Sequence, residues 1–235
     1  MVRYEDITVV IPTLNEQKTI GKLITRLLVL YNGANILVVD DGSTDDTQKI
    51  VLRFAKAGKH VRLLDRHRSG KPPGLTYSMI DGLMHSSTKY TMFIDGDLQH
   101  PPEIIKSIVE SLRSGDTIAI AVRGRNYNPI LYRRIISMMS IAFGNAILYI
   151  SGKASSSDIM SGYFGIETEY AVKTVKENRH RFIGDGYKFL FDILKCTSRS
   201  SARISEVQYR FKERMYGSSK ASMRQGIALL QSYFS

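Results

Sequence analysis

The chain has almost no cysteine. Cys196 stands alone in 235 residues, which excludes an internal disulfide framework and any multi-cysteine metal site. A small buried thiol in a reducing compartment is the simplest setting for it. The opening segment MVRYEDITVV has no positive n-region followed by an apolar core and a small-residue cleavage site, so no secretory leader is expected. No G-x-G-x-x-G follows the first apolar run, and no G-x-x-x-x-G-K-[ST] occurs, so dinucleotide and P-loop chemistries lack their phosphate-binding loops. Long apolar runs are missing too. The longest mostly apolar stretch, IISMMSIAFGNAILYI at 135–150, has 16 residues with Ser, Gly and Asn inside it, short of the roughly 20 that a spanning helix needs. Internal repeats and low-complexity tracts are also absent.

What is present fits one catalytic domain over 1–235, with 43% hydrophobic residues and a core large enough to fold alone. The charge is uneven. Residues 1–120 hold 15 Lys and Arg against 14 Asp and Glu, whereas 121–235 hold 18 against 8. The basic half suits an anionic partner: nucleic acid, a membrane surface or a phosphorylated substrate.

The first half alternates regularly. ITVVIP is an apolar run closed by Pro12; Ile20, Leu23, Ile24, Leu27 and Leu28 then recur at helical spacing, and NILVVDD is a second run closed by acids. GSTDDTQKIVLRFAKAG predicts a helix capped by Ser43 or Thr44 and ended by Gly58. VRLLD, YTMFID and TIAIAVRGR add three strands, with helices at 74–86 and from Pro101 to about Leu112. Such βα alternation predicts an α/β fold with a mostly parallel sheet and helices on both faces. Farther on, SGKASSSD reads as a polar loop, SGYFGI as the start of a strand and 183–195 as a helix. The stretch at 135–150 reads either as a core helix or, with Arg133 and Arg134 before it, as a helix lying in a membrane interface.

Ligands of such sheets bind beyond the carboxyl ends of the strands, and acids gather there. Asp40 and Asp41 close one strand, Asp95 and Asp97 another, so four carboxylates could border one crevice. Turn and capping chemistry before Gly42 is the plainer reading of Asp40 and Asp41. Two aspartates one residue apart repel each other unless something positive lies between them. A hard divalent cation, Mg²⁺ or Mn²⁺, meets that need and takes its other ligands from phosphate oxygens and water. Gln99 suits such an ion, whereas His100 reads as a positioning residue.

The segments VVIPTLNE (9–16), VVDDGSTDDT (38–47), DGDLQHPPE (95–103), DIMSGYF (158–164) and GSSK (217–220), in this order, resemble those of the family 2 glycosyltransferases, and among them the dolichyl-phosphate mannosyltransferases. The resemblance implies the glycosyltransferase A fold, a Rossmann-like sheet forming a nucleotide-sugar half (1–120) continued into an acceptor half (121–235). It implies that Asp95, Asp97 and Gln99 hold Mg²⁺ or Mn²⁺ on the diphosphate of GDP-mannose, and that Pro12, Leu14, Glu16, Val39, Asp41 and Gly96 border the nucleotide. Leu14 stands where tyrosine is common, Gly96 where alanine is. Arg125 matches an arginine between donor and acceptor phosphates, Arg133 and Ser137 match acceptor-phosphate contacts, and Lys188, Arg214 and Lys220 match basic residues near the donor diphosphate. Tyr216 replaces a second arginine often found there.

The implied acceptor is dolichyl phosphate. Its oxygen is already ionised at neutral pH, so attack on the sugar needs alignment more than a general base, with Asp97 and Arg125 the residues on which catalysis rests. The resemblance also implies a location on the cytoplasmic face of a membrane, contacted by interface helices at about 131–150 and 221–235, with a partner subunit or further spanning helices as the anchor. A UDP-glucose-dependent polyprenyl-phosphate glucosyltransferase is the alternative within the class. A nucleic-acid-binding module explains the charge but not DGDLQHPPE, and a receiver-type signalling domain takes its paired acids from the first strand, where VVIPTLNE stands instead; neither is expected.

Overall fold

The structure, a computed structural model, describes residues 3–58, 60–70, 72–124, 131–182 and 188–210, without the side chains of Ser69 and of 131–140. In chain order the elements are β1 (Ile7–Thr13), α1 (Ile20–Leu30), β2 (Asn35–Asp40), α2 (Thr47–Lys56), β3 (Val61–Asp65), α3 (Leu75–Met84), β4 (Tyr90–Phe93), α4 (Ile105–Arg113), β5 (Ile118–Arg123), α5 (Leu131–Ile150), β6 (Phe164–Glu167), α6 (Thr168–Glu177), α7 (Phe189–Cys196) and β7 (Ile204–Tyr209). The strands form one sheet in the order β3-β2-β1-β4-β6-β5-β7. All neighbours run parallel except β6, which is antiparallel to both β4 and β5.

Alternation along the strands divides the core. Val9 and Ile11 of β1 and Ile36 and Val38 of β2 face α1, α2 and α4, while Val10, Leu37 and Val39 face α3, α6 and α7. Ile20, Leu23, Ile24 and Leu27 all turn inward from α1, as their spacing predicts. On the other face α3 approaches β1 closely because residue 82 has no side chain: a Cβ there would stand 2.3 Å from Val10 Cγ1.

Two expectations are corrected. Neither Ser43 nor Thr44 caps α2; the helix starts at Thr47, whose amide donates to Asp45 Oδ1 at 3.0 Å, while Ser43 is drawn to Asp40. The helix expected at 183–195 begins, among the described residues, at Phe189. Two elements went unread. The strand β7 hides its apolar residues among Ser205, Glu206 and Gln208, as an edge strand does, and α6 buries only one narrow face. The stretch at 135–150 lies within α5, whose described part is two-sided: Leu148 is fully buried in the core, with Ile141 and Ile147 packed beside it, while Phe143 is 47% exposed, Tyr149 69% and Ile150 84%. Among the described residues no helix is long and apolar enough to cross a membrane. Cys196 is half-buried, and that burial pushes its thiol up.

The amino end is fastened to α4 by a bidentate pair. Arg113 donates to Asp6 from Nε at 2.9 Å and from Nη2 at 2.6 Å, and this hydrogen bonding holds the Asp6 carboxyl below its ordinary value. The charged form therefore favours the fold. Its contribution is complete above the unfolded pKa of about 3.9 and disappears as pH falls through the lower folded value. Because the pair is about one-third exposed, solvent limits it to about 0.2–1 kcal/mol. Asp6→Asn is expected to lower stability by that amount at pH 7 and by nothing measurable near pH 2, read as urea midpoints. A pH-independent difference contradicts the account.

Candidate active site

The strand order places a topological switch point between β1 and β4: the chain leaves β1 through α1 toward β2, and returns from β3 through α3 to the other side of β1. Crevices form where successive connections diverge in this way. Two sequence motifs meet there, VVIPTLNE running off the end of β1 and DGDLQHPPE on the loop just after β4.

The loops after β1 and β2 are zipped together. Asn15 and Glu16 donate their amides to Ser43 Oγ and Thr47 Oγ1, both at 2.8 Å, and Thr44 donates its amide to Asn15 Oδ1 at 2.8 Å. Asn15 holds φ +55° to make this possible, a conformation asparagine tolerates better than most residues. The loop after β4 leans on the same structure. A Cβ on Gly96 would meet Thr13 Cγ2 at 3.2 Å, a tight contact, and Glu16 Cγ at 3.5 Å, so glycine lets this loop sit close against the end of β1.

Within that third loop, Leu98 takes φ +63°. For a residue other than glycine this costs of order 1 kcal/mol and persists only where the surroundings enforce it; here the Leu98 side chain packs on the core. The turn lets Gln99 donate its amide to Asp97 Oδ1 at 3.0 Å. Asp97 is buried, while the Asp95 side chain remains 25% exposed. His100 follows, with Nε2 at 3.2 Å from Asp95 Oδ2 and Nδ1 at 2.7 Å from the Tyr209 hydroxyl. Burial pushes the Tyr209 phenol far up, so it is a hydroxyl at any working pH. The DIMSGYF segment closes the other side. Arg123, at the end of β5, grips Asp158 through Nε at 2.9 Å and Nη2 at 3.2 Å, and Ser161 Oγ donates to the Ala121 carbonyl at 2.8 Å. Gly162 is thereby set against Asp95, where a Cβ would lie 3.3 Å from each carboxylate oxygen.

These features fit a hard divalent cation. Any side chain at position 162 would cover the face of Asp95, and His100 has both ring nitrogens engaged within the protein, which leaves oxygen donors: Asp95 and Asp97, with Gln99 beside them. Among the described residues no three His, Cys, Asp or Glu side chains converge as a metal site. A pair of carboxylates suits Mg²⁺ or Mn²⁺ completed by phosphate and water.

The other residues singled out in the sequence fall in several places. Pro12, Leu14, Glu16, Asp41 and Gly96 all lie on the three loops or the strand ends that lead into them; Leu14 is exposed and Glu16 half-buried. Val39 also lies at its strand end, but its side chain is fully buried in the core and only its backbone is near the loop, where its carbonyl accepts from Thr13 Oγ1 at 3.4 Å. Asp40 is not a crevice acid. It is fully buried and accepts from the amides of Gly42 and Ser43, from Ser43 Oγ and from Gln48 Nε2, which is the turn reading. Asp41 accepts from Gly74 N at 2.7 Å and pairs with Arg66. Lys188 is buried at the start of α7, 4.0 Å from Asp192, next to Phe189, whose ring meets Phe93 at 5.3 Å near the end of β4. Arg125, Arg214 and Lys220 lie outside the described residues, as do Tyr216 and the helix expected at 221–235; Arg133 and Ser137 lie on α5 where side chains are not described. Sequence reasoning missed Arg66, the Arg123–Asp158 pair and Tyr209. Only Asp158 carried a signal, as the first residue of DIMSGYF.

The chain is 32% identical over 220 residues to the dolichol-phosphate mannosyltransferase of Pyrococcus furiosus, a match covering 91% of this chain and 58% of that protein. The chain therefore spans less than two thirds of that relative's length. With the dolichol-phosphate mannosyltransferase of Saccharomyces cerevisiae it shares 29% identity over 237 residues, 95% of this chain and 84% of that one. The crystal structure of glucosyl-3-phosphoglycerate synthase from Mycobacterium tuberculosis, in complex with Mn²⁺, UDP-glucose and glycerol 3-phosphate, superposes with a TM-score of 0.64 over 97% of this chain and 79% of that one, at 21% identity. That likeness is one of fold. The profile described as Glycosyl transferase family 2 matches residues 8–174, from β1 through most of α6, and the chain belongs to that family.

Proposed function

We propose that this protein transfers mannose from GDP-mannose to dolichyl or another polyprenyl phosphate, with inversion at the sugar carbon. The observation that carries the reading is the β4 loop, DGDLQHPPE, seated at the switch point of the sheet in a chain whose relatives over most of its length are named dolichol-phosphate mannosyltransferases. In the reaction a phosphate oxygen of the lipid forms a bond to the sugar C1 as the bond from C1 to the diphosphate breaks. The attacking oxygen is already ionised, so no proton has to be removed.

Asp95 and Asp97, with Gln99 alongside, would hold Mg²⁺ or Mn²⁺, which when bound supplies neutralising charge to the diphosphate. The chain itself does the rest by position. The zipped loops at Asn15 and Ser43 fix the rim on which Pro12, Leu14, Glu16, Val39, Asp41 and Gly96 border the nucleotide. Asp41 is aimed by Arg66 and by the Gly74 amide. Arg125 stands between the two phosphates, Arg133 and Ser137 hold the acceptor, and Lys188, Arg214 and Lys220 draw the donor diphosphate; these assignments rest on the family resemblance. Cations between two anionic reactants are required if the reactants are to meet.

The acceptor resides in a bilayer, and a membrane surface on the cytoplasmic side is the proposed location. Support comes from α5, whose exposed Ala142, Phe143, Ala146, Tyr149 and Ile150 form one apolar stripe at helical spacing. Arg199 lies over the Tyr149 ring at 4.8 Å, a cation beside the apolar stripe as an interfacial helix requires.

The test is transfer of radiolabelled sugar to a short polyprenyl phosphate from GDP-mannose and, in parallel, from UDP-glucose, with Mn²⁺ or Mg²⁺ and with EDTA. Metal-dependent product from GDP-mannose alone is expected. Product from UDP-glucose alone would overturn the donor and retain the lipid acceptor, and failure of both would overturn the acceptor class.

A further inference from the structure

His100 is buried, with both ring nitrogens hydrogen-bonded within the protein. Its ring is buried between two tyrosines, at 5.0 Å from the Tyr163 centroid and 5.6 Å from that of Tyr209, and the two tyrosine rings meet edge to face at 5.6 Å. Tyr163 in turn donates its hydroxyl to the Pro101 carbonyl at 2.9 Å, which fixes the backbone just after the imidazole. Tyr209 ends β7 and is anchored there, its carbonyl accepting from Gly124 N at 2.9 Å. A strand 109 residues away in sequence thus reaches the carboxylate loop through one hydroxyl.

The hydrogen-bond roles follow from chemistry. A carboxylate only accepts, so the imidazole nitrogen facing Asp95 has to carry a proton, and the other nitrogen of a neutral ring is then an acceptor. The Tyr209 hydroxyl is its donor. We propose that Tyr209 is a positioning residue for Asp95, acting through the seating of the His100 ring. Without that donor Nδ1 is left a buried acceptor with its hydroxyl partner gone, and the ring loses one of the two bonds that seat Nε2–H against the carboxylate. The proposal rests on the reading of Asp95 and Asp97 as cation ligands, and its test separates the two.

Partners behind a metal-binding side chain are typically worth 10–100-fold in metal affinity; Tyr209 stands one step farther out, so Tyr209→Phe is expected at the low end, about tenfold. The readouts are two. Two-bond ¹H–¹⁵N spectra of histidine-labelled protein, with His100 assigned by its loss in His100→Gln, report the tautomer and need no metal. Binding of Mn²⁺ in the presence of GDP, followed by the electron paramagnetic resonance of free Mn²⁺, reports the site. Expected results are the Nε2–H form in both the parent and Tyr209→Phe, an Nδ1 resonance in Tyr209→Phe shifted as that of an acceptor that has lost its donor, and about tenfold weaker Mn²⁺ binding that adds nothing in the His100→Gln background.

A proton on Nδ1 of the parent overturns the proposal with no variant needed. So does an equal loss from Tyr209→Phe in both backgrounds, which would mark it as a packing effect, or an unchanged Mn²⁺ affinity. If Asp97→Asn also leaves Mn²⁺ binding unchanged, the cation reading itself has failed and carries this inference down with it. If Asp97→Asn abolishes binding and Tyr209→Phe does nothing, only the positioning role has failed.

Discussion

Asp97→Asn is expected to lower transfer by about a thousandfold while the protein keeps its fold. The first half of that expectation follows from charge. Neutralisation of a departing diphosphate by a held cation is worth several kcal/mol, and about 4 kcal/mol corresponds to a thousandfold at roughly 1.4 kcal/mol per factor of ten. Removing one of two carboxylates takes away both the ligand and half of the negative charge that retains the ion. The second half follows from shape. The buried Asp97 side chain accepts the Gln99 amide at 3.0 Å, and an asparagine oxygen accepts it equally, so Leu98 keeps its left-handed turn. Stability is expected within about 1 kcal/mol of the parent, the size of one altered hydrogen bond. Asp95→Asn is the matching control, since its oxygen still faces His100. Rates from labelled GDP-mannose, with urea midpoints on the same preparations, decide the matter. Near-normal transfer at saturating Mn²⁺, or a rate lost together with the fold, would refute the role given to Asp97.

The parts of this structure that sequence discloses are those where one residue property decides the outcome. Apolar runs became β1, β2, β4 and β5 because nearly every side chain in them is buried, and the spacing from Ile20 to Leu27 became the inner face of α1. The place of the paired acids at 95 and 97 was legible for the same reason: they follow an apolar run and lie on the loop at the carboxyl end of β4. Where several roles compete for one residue type, the sequence is silent. Asp40 and Asp41 are neighbours of identical chemistry, yet one is sealed in a turn with Gly42, Ser43 and Gln48, and the other is turned toward Arg66 and Gly74. Only the path of the backbone separates them. His100 and Tyr209 make one unit across 109 residues, and no local pattern joins them. The strand that carries Tyr209 was itself hidden, because a sheet edge lets polar residues alternate along it. Arg66 stands within DRHRSGK, where nothing in the local pattern marks one basic residue as buried.

Arg66 is in fact 2% exposed, and its removal carries the largest expected effect on stability. Its guanidinium donates from Nε to Asp81 Oδ2 at 2.8 Å, from Nη1 to Asp41 Oδ1 and to Ser78 Oγ, and from Nη2 to the Pro72 carbonyl at 2.8 Å. One planar group thus ties the end of β3 to the loop after β2 and to α3. Truncation leaves two little-exposed carboxylates without their cation, and breaking a buried pair from one side costs about 3–5 kcal/mol. Arg66→Met is therefore expected to lower the melting temperature by roughly 6–20 °C, at about 2–4 °C per kcal/mol for a chain of this size. Lysine should not rescue it, because a single ammonium cannot serve four acceptors held apart in a plane. Asp81→Asn added to Arg66→Met should recover part of the loss, since it removes one of the stranded charges; a loss from packing alone would not respond. The same network aims Asp41 at the proposed nucleotide rim, so variants that still fold should bind GDP more weakly. A melting temperature for Arg66→Met within 2 °C of the parent would show that the buried network does not hold the three elements together.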